Sequence, residues 1–415
     1  MSVFLRRFLD QLIKRGALEV ETGSGGRFMV GDGGQDLLGI RFVDQAAQRR
    51  LLLNPVLALG ELYMEGGLIV TRGSIYDVLA LVASNLSWQT PPGLARARER
   101  MRKTLRPLHQ RNTKRRAARN VGHHYDLDSR LYSLFLDSDW QYSCAYFEQQ
   151  GQTLEQAQLA KKRHIAAKLL VADGHRVLDI GCGWGGLAIY LARECGARVT
   201  GITLSQEQLD NANRRGRECS ASVVFRLQDY RTESDRFDRI VSVGMFEHVG
   251  VGYYESFFQK AGELLVDDGV MLLHSIGRMD GPGAANPWID KYIFPGGYAP
   301  ALSEVLSAIE RAGLIVTDIE ILRMHYADTL KAWRERFLAH RDQAKALYDE
   351  RFCRMWEFYL AGCEVAFRYC GLMVFQIQLA KSLNAVPLTR DYIAAREAQL
   401  KASDAYGRAL IAAAE

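Results

Sequence analysis

No stretch of the chain approaches the roughly 20 uninterrupted apolar residues that a bilayer-spanning helix needs. Arg6, Arg7 and Asp10 break up the apolar residues that a signal peptide would keep together near the N-terminus. The protein is therefore expected to work in the cytoplasm. Cysteine is sparse and odd in number: seven residues (Cys144, Cys182, Cys195, Cys219, Cys353, Cys363 and Cys370), with neither Cys-x-x-Cys nor His-rich spacing. This pattern favours free thiols over a disulfide framework, and no metal ligands are assigned. Internal repeats are lacking too. What remains is an ordinary globular composition, 48% hydrophobic and 24% charged over 415 residues, long enough for two or more cores.

Charge is uneven where composition is not. The formal net charge is +5, yet the eleven basic residues between Arg96 and Arg119 face only Glu99. That stretch alone carries +10, which leaves the rest of the chain at −5. It follows Pro91-Pro92 and has no apolar face, so it reads as a basic linker over 91–119. Before it, residues 1–90 mix an amphipathic helix over 3–15 with short strand-like runs and many glycines, which predicts a small α+β domain. Helices of that amphipathic kind more often pack on their own domain than on a membrane.

From 120 to 415 the pattern changes to α/β. Short β-branched runs at 176–180, 197–202, 222–225, 239–243, 270–273, 314–319 and 373–379 alternate with helical stretches. This predicts a seven-stranded, mostly parallel, Rossmann-like sheet with helices on both faces. The first run ends in Asp179-Ile-Gly-Cys-Gly-Trp-Gly-Gly186. Glycines there let a ligand approach the backbone, and the following helix turns its N–H groups toward it. Such a turn also occurs in nicotinamide- and flavin-binding folds. Asp179 tips the reading, since a carboxylate suits a cofactor bearing an amino acid better than one bearing a pyrophosphate.

The turn, with Gly201-Ile-Thr-Leu-Ser-Gln-Glu-Gln208 and Leu227-Gln-Asp-Tyr230, resembles class I S-adenosylmethionine-dependent methyltransferases. The commonest acidic residue at the end of the second strand is missing, so Thr203 and Gln208 are expected to share the ribose. Gln228 and Asp229 are expected at the adenine. A closer resemblance, to the cyclopropane fatty acid synthases and mycolic acid cyclopropane synthases, rests on several segments. They are Asn120-Val-Gly-His-His-Tyr-Asp126, Gln141-Tyr-Ser-Cys-Ala-Tyr-Phe147, Val243-Gly-Met-Phe-Glu-His-Val-Gly250, Leu273-His-Ser-Ile-Gly277, Pro287-Trp-Ile-Asp-Lys-Tyr-Ile-Phe-Pro-Gly296 and Tyr326-Ala-Asp-Thr-Leu-Lys-Ala-Trp333. Residues 1–90 resemble, more loosely, the N-terminal domain of bacterial members, which is similar to sterol-carrier-like lipid-binding folds.

The resemblance implies S-adenosylmethionine held by Tyr142, Ser143, Asp179, Gly181, Gly183, Trp184, Gly185, Thr203, Leu204, Gln208, Gln228 and Asp229. It further implies a bound bicarbonate as base, held by Cys144, Glu247, His274, Tyr326 and the backbone N–H of Ile276. Glu247 as the immediate base remains the alternative. The implied reaction passes through cationic character on acyl carbons and needs a dry site, with Trp288, Tyr292 and Phe294 as candidate aromatic walls. The implied substrate is an unsaturated phospholipid in the bilayer, reached by peripheral membrane contact through the basic linker, and the implied assembly is a homodimer. Addition of a methyl branch without ring closure stays open. So do two other classes: a non-catalytic lipid-binding protein, and a nucleic-acid methyltransferase using the arginines. Against the latter, the fourth strand leads into Gly244-Met-Phe-Glu-His248 rather than the Asn/Asp-Pro-Pro-aromatic turn that grips a flipped base, so no nucleic acid is expected.

Overall fold

The structure, a computed structural model, describes residues 2–34, 36–86, 128–404 and 412. The basic stretch and the segment Asn120 to Asp126 lie outside the described residues.

The chain divides into two compact units. One holds a four-stranded sheet of β1 (Ala17–Glu21), β2 (Arg27–Gly31), β3 (Leu37–Phe42) and β4 (Leu68–Arg72), in the order β2-β1-β3-β4. β1 and β3 run parallel and the other pairs antiparallel. The N-terminal helix Ser2–Leu12 buries Leu5 and Leu9 into this unit's core while Arg6 and Arg7 stay exposed. Its i, i+4 stripe thus packs on its own domain.

This unit is not contiguous: Met1–Met101 cluster with Ala285–Pro295 and Leu330–Leu372, whereas the sequence pattern suggested one uninterrupted domain from 120 onward. Gly60 shows how close the packing is, since a Cβ there would lie 2.4 Å from Nε1 of Trp288. The helix Glu350–Tyr369 buries Trp356, Tyr359 and Leu360. An apolar helical stripe says that a partner exists but not which segment supplies it, so the regrouping left no mark on the sequence.

The other unit carries all seven expected strands: β5 (Arg176–Ile180), β6 (Arg198–Thr203), β7 (Val223–Leu227), β8 (Phe237–Val243), β9 (Leu265–Arg278), β10 (Ile315–Leu322) and β11 (Leu372–Ala380). Their order is β10-β11-β9-β8-β5-β6-β7. The pairs β5–β6, β6–β7, β5–β8 and β8–β9 are parallel, and β10–β11 is antiparallel. β5 sits where the order reverses, the place where open α/β sheets leave a crevice beyond the strands' carboxyl ends. β9 runs well past its apolar run, carrying His274 and Ser275, which are 2% and 0% exposed. Polar residues that continue a strand into a buried position point to function rather than to packing.

Behind the glycine-rich turn, a Cβ at Gly186 would lie 2.3 Å from Gln141 Nε2 and 2.6 Å from Asp139 Oδ2. Gly186→Ala is therefore expected to cost about 1–3 kcal/mol through overpacking. A lower urea midpoint with an unchanged slope would show this, and an unmoved midpoint would refute it.

Candidate active site

Asp179, the penultimate residue of β5, is 2% exposed, and its Oδ2 has no hydrogen-bond partner. Burial pushes its pKa up to about 7, partly offset by the nearby positive charge of Lys161. Gly181, Gly183 and Gly185 follow with φ of 82°, 55° and 84°. At Gly183 an added Cβ would meet nothing within 4 Å, so the turn borders open space. The helix Gly186–Cys195 then begins, presenting its first N–H groups. The unpartnered carboxyl of Asp179 could hold the ammonium group of S-adenosylmethionine across this open, glycine-lined turn, and the N–H groups at the helix N-terminus suit its carboxylate.

The remaining cofactor candidates divide. Thr203 Oγ1 donates to Gln208 Oε1 at 2.8 Å, with both side chains buried, so the pair expected to share the ribose is brought together. Leu204 is half-buried beside them. Trp184 is buried, donates from Nε1 to Glu207 at 3.0 Å, and packs 4.8 Å from the ring of Tyr132, which lies 5.3 Å from Tyr142. Gln228 and Asp229 both have partners within the chain. Asp229 accepts from Arg231 on both oxygens and caps the turn Tyr230–Thr232, while Gln228 Nε2 donates to Glu233 at 3.1 Å.

A buried polar network supports this wall, and it ties two residues of the motif Gln141 to Phe147, Gln141 and the cofactor candidate Ser143, to Lys161 and Asp139. Lys161 Nζ donates to Gln141 Oε1 at 2.8 Å and to Ser143 Oγ at 2.7 Å. Gln141 Nε2 donates to Asp139, which also pairs with Lys162 at 2.5 Å and with Arg215. Lys161 is 1% exposed, and burial pulls its pKa down to about 8. The network's lysines come from the run Lys161-Lys-Arg-His164 in the helix Leu154–Lys168, where such charges normally face water, so the sequence does not mark them as buried.

The candidate catalytic residues fall into two groups. Glu247 follows β8 and His274 lies within β9, the adjacent parallel strand, with Val243 of β8 opposite His274. Glu247 Oε1 accepts from the Ile276 N–H at 2.7 Å, and its Oε2 has no partner. Burial outweighs that hydrogen bond and pushes its pKa up to about 7. His274 is driven the other way, down to about 3, by burial and then by the positive charges of Lys161, Lys168 and His164. It is therefore a neutral imidazole at any ordinary pH. Cys144 is buried beside Ala145, whose N–H donates to Thr329 Oγ1 at 3.0 Å. Thr329 lies one helical turn after Tyr326 on the helix His325–Ala339. Burial raises the Cys144 thiol pKa, so it stays protonated, and it donates to the Ala145 carbonyl at 3.2 Å. One expectation changes: the Ile276 N–H is spent on the Glu247 carboxylate instead of being open to an anion.

The family description "Mycolic acid cyclopropane synthetase" matches residues 112–377. The chain belongs to this family. A probable fatty acid methyltransferase of Pseudomonas putida is 42% identical over 69% of this chain and 76% of its own length. The cyclopropane-fatty-acyl-phospholipid synthase of Escherichia coli (strain K12) is 39% identical over 81% of this chain and 86% of its own. The crystal structure of the mycolic acid cyclopropane synthase CmaA1 complexed with SAH and CTAB covers 63% of this chain and 97% of its own, at 35% identity and a TM-score of 0.60. This cyclopropane synthetase family member is thus an S-adenosylmethionine-dependent methyltransferase enzyme with the matching fold.

Trp288, Tyr292 and Phe294 belong to the unit that carries the N-terminal sheet. There Trp288 packs edge-on to Phe358 at 4.7 Å, the Tyr292 hydroxyl donates to Glu61 at 2.9 Å, and Phe294 lies 6.1 Å from Tyr359. Their contacts are those of packing residues, as expected where a helix closes a core.

Proposed function

We propose that this enzyme transfers a methylene from S-adenosylmethionine to the cis double bond of an unsaturated phospholipid acyl chain, forming a cyclopropane ring. The observation that carries this reading is Glu247: a buried carboxylate held on one oxygen by the Ile276 N–H, with its other oxygen unpartnered, while Ile276 lies two residues along β9 from the neutral His274. S-adenosylmethionine supplies the electrophilic methyl group. An alkene is a weak nucleophile, so the transfer places cationic character on the acyl carbons, and ring closure then removes a proton from the added methyl. Asp179 would hold the cofactor's ammonium group, while the buried surroundings of Cys144, Glu247 and His274 exclude the water that would trap the cation.

Bicarbonate fits the side chains present. Glu247 Oε2 can accept its O–H, and His274 and Tyr326 can donate to its charged oxygens. These residues would orient the base, with Glu247 itself as the competing proton acceptor. Purified protein, S-adenosylmethionine and vesicles of unsaturated phospholipid should yield acyl chains gaining one CH2 that resists hydrogenation. A saturated branch or a hydrogenatable exomethylene would instead support simple C-methylation, the reading favoured by the likeness to the Pseudomonas putida methyltransferase.

The substrate lies in a membrane, since withdrawing a 16-carbon chain into water would cost on the order of 10 kcal/mol or more. This reading includes a homodimer docked peripherally on the cytoplasmic face, with the basic stretch 96–119 as its contact. Reversing Arg115, Arg116 and Arg119 to Glu should weaken binding to anionic vesicles by about 3 kcal/mol or more at low salt, on the order of 100-fold. Added salt should shrink the difference. Equal binding by both proteins at low salt would remove the stretch from the docking surface.

A further inference from the structure

We propose that Gln376, on β11, is a positioning residue that fixes the neutral His274 as its Nε2–H tautomer and so aims a hydrogen-bond donor into the reaction site. Gln376 is fully buried, and its Nε2 lies 3.2 Å from His274 Nδ1. With the amide nitrogen facing the ring, Gln376 donates and Nδ1 accepts, which leaves the single proton of a neutral imidazole on Nε2. The neutrality follows from burial and from the cations Lys161, Lys168 and His164 around the ring.

The comparison with Gln378, two residues on, separates this arrangement from ordinary packing. Gln378 is saturated: it accepts from Thr317 Oγ1 at 2.8 Å and contacts the Tyr392 hydroxyl at 2.8 Å and the Lys168 carbonyl. Gln376 has its His274 contact, and its Oε1 has no partner although it is buried. Val374, Phe375, Ile377 and Leu379 around the two glutamines are apolar and buried. A polar side chain that leaves its carbonyl unsatisfied in an apolar strand is destabilising, and a leucine would pack there without that penalty. The hydrogen bond to His274 is what the glutamine adds. Without it the imidazole divides between tautomers, and the Nδ1–H form turns a lone pair toward any anion in the site.

The inference rests on the reading of His274 as a donor in the reaction, and the test keeps the two apart. Nitrogen-15 spectra of histidine-labelled full-length protein, with His274 assigned by its loss in His274→Gln, report which ring nitrogen carries the proton. The wild type should show Nε2–H. Gln376→Leu should give a tautomer mixture and lower kcat by about 10-fold, with KM for S-adenosylmethionine little changed. Gln376→Glu accepts only while its carboxyl is ionised, so above that group's burial-raised pKa it should draw the proton to Nδ1 and lower kcat by about 100-fold or more, and below it the protonated carboxyl donates as the glutamine does. If the buried carboxylate prevents folding, Gln376→Leu carries the test alone. A wild-type Nδ1–H tautomer, or a Gln376→Leu protein with an unchanged ring spectrum, overturns the proposal. A tautomer that moves while kcat holds upholds the role of Gln376 and overturns the reading of His274 as a donor.

Discussion

Glu247→Gln should lower turnover by about 100- to 10,000-fold, the usual range for losing general acid or base assistance, and leave the Kd for S-adenosylmethionine within about twofold. The amide keeps the size of the carboxylate and can keep the hydrogen bond from Ile276 through its carbonyl oxygen. What it loses is the charge and the second acceptor, the oxygen that has no partner in this structure. The wild-type rate should also fall as pH drops through about 7, because the buried carboxyl takes up a proton there and no longer accepts one. Stopped-time product assays with saturating cofactor, alongside calorimetry, read both quantities. A Gln variant that turns over normally would remove Glu247 from the chemistry.

Asp179→Asn should weaken S-adenosylmethionine binding by about 2–4 kcal/mol, roughly 30- to 1,000-fold, since a desolvated charge pair is lost. The same substitution should make the cofactor-free protein more stable at neutral and higher pH. The sign follows from the raised pKa. The folded state keeps Asp179 protonated up to about 7, whereas the unfolded chain ionises near 3.8. Its folding contribution is therefore most favourable below the lower value and is lost as pH rises through the higher one. The variant's gain in Tm should accordingly be largest above pH 7 and vanish near pH 4. For the wild type, cofactor affinity should rise with pH across the same interval. An Asn variant that binds as tightly as the wild type would separate Asp179 from the cofactor.

The opposite fates of Asp179 and Asp229 show what sequence spacing can carry. Both are acidic residues close to a strand's carboxyl end in a methyltransferase-like pattern, Asp179 just before it and Asp229 just after. Asp179 is left without a partner on Oδ2 because β5 is flanked on both sides by parallel strands and faces a turn of glycines that offer no side chain. Asp229 sits after an edge strand, where Arg231, two residues on, folds back onto it. Spacing located both, and only the surrounding contacts distinguished a waiting carboxylate from a satisfied one. His274 and Gln376 make the same point across a larger separation, because two strands that are neighbours in the sheet bring together residues 102 positions apart.

The sequence by itself determined the seven strands, the glycine turn at Asp179 to Gly186, and the pairing of Thr203 with Gln208. Each of these depends on local pattern: β-branched alternation, backbone freedom at glycine, and residues a few positions apart. Tertiary structure alone decided the rest. It drew residues 285–295 and 330–372 into the unit with the N-terminal sheet, buried the Lys161 and Asp139 network, and spent the Ile276 N–H on Glu247. In each case the deciding quantity is desolvation or a contact between distant segments. The ionisation of Asp179, Glu247 and His274 is set by the burial that folding imposes.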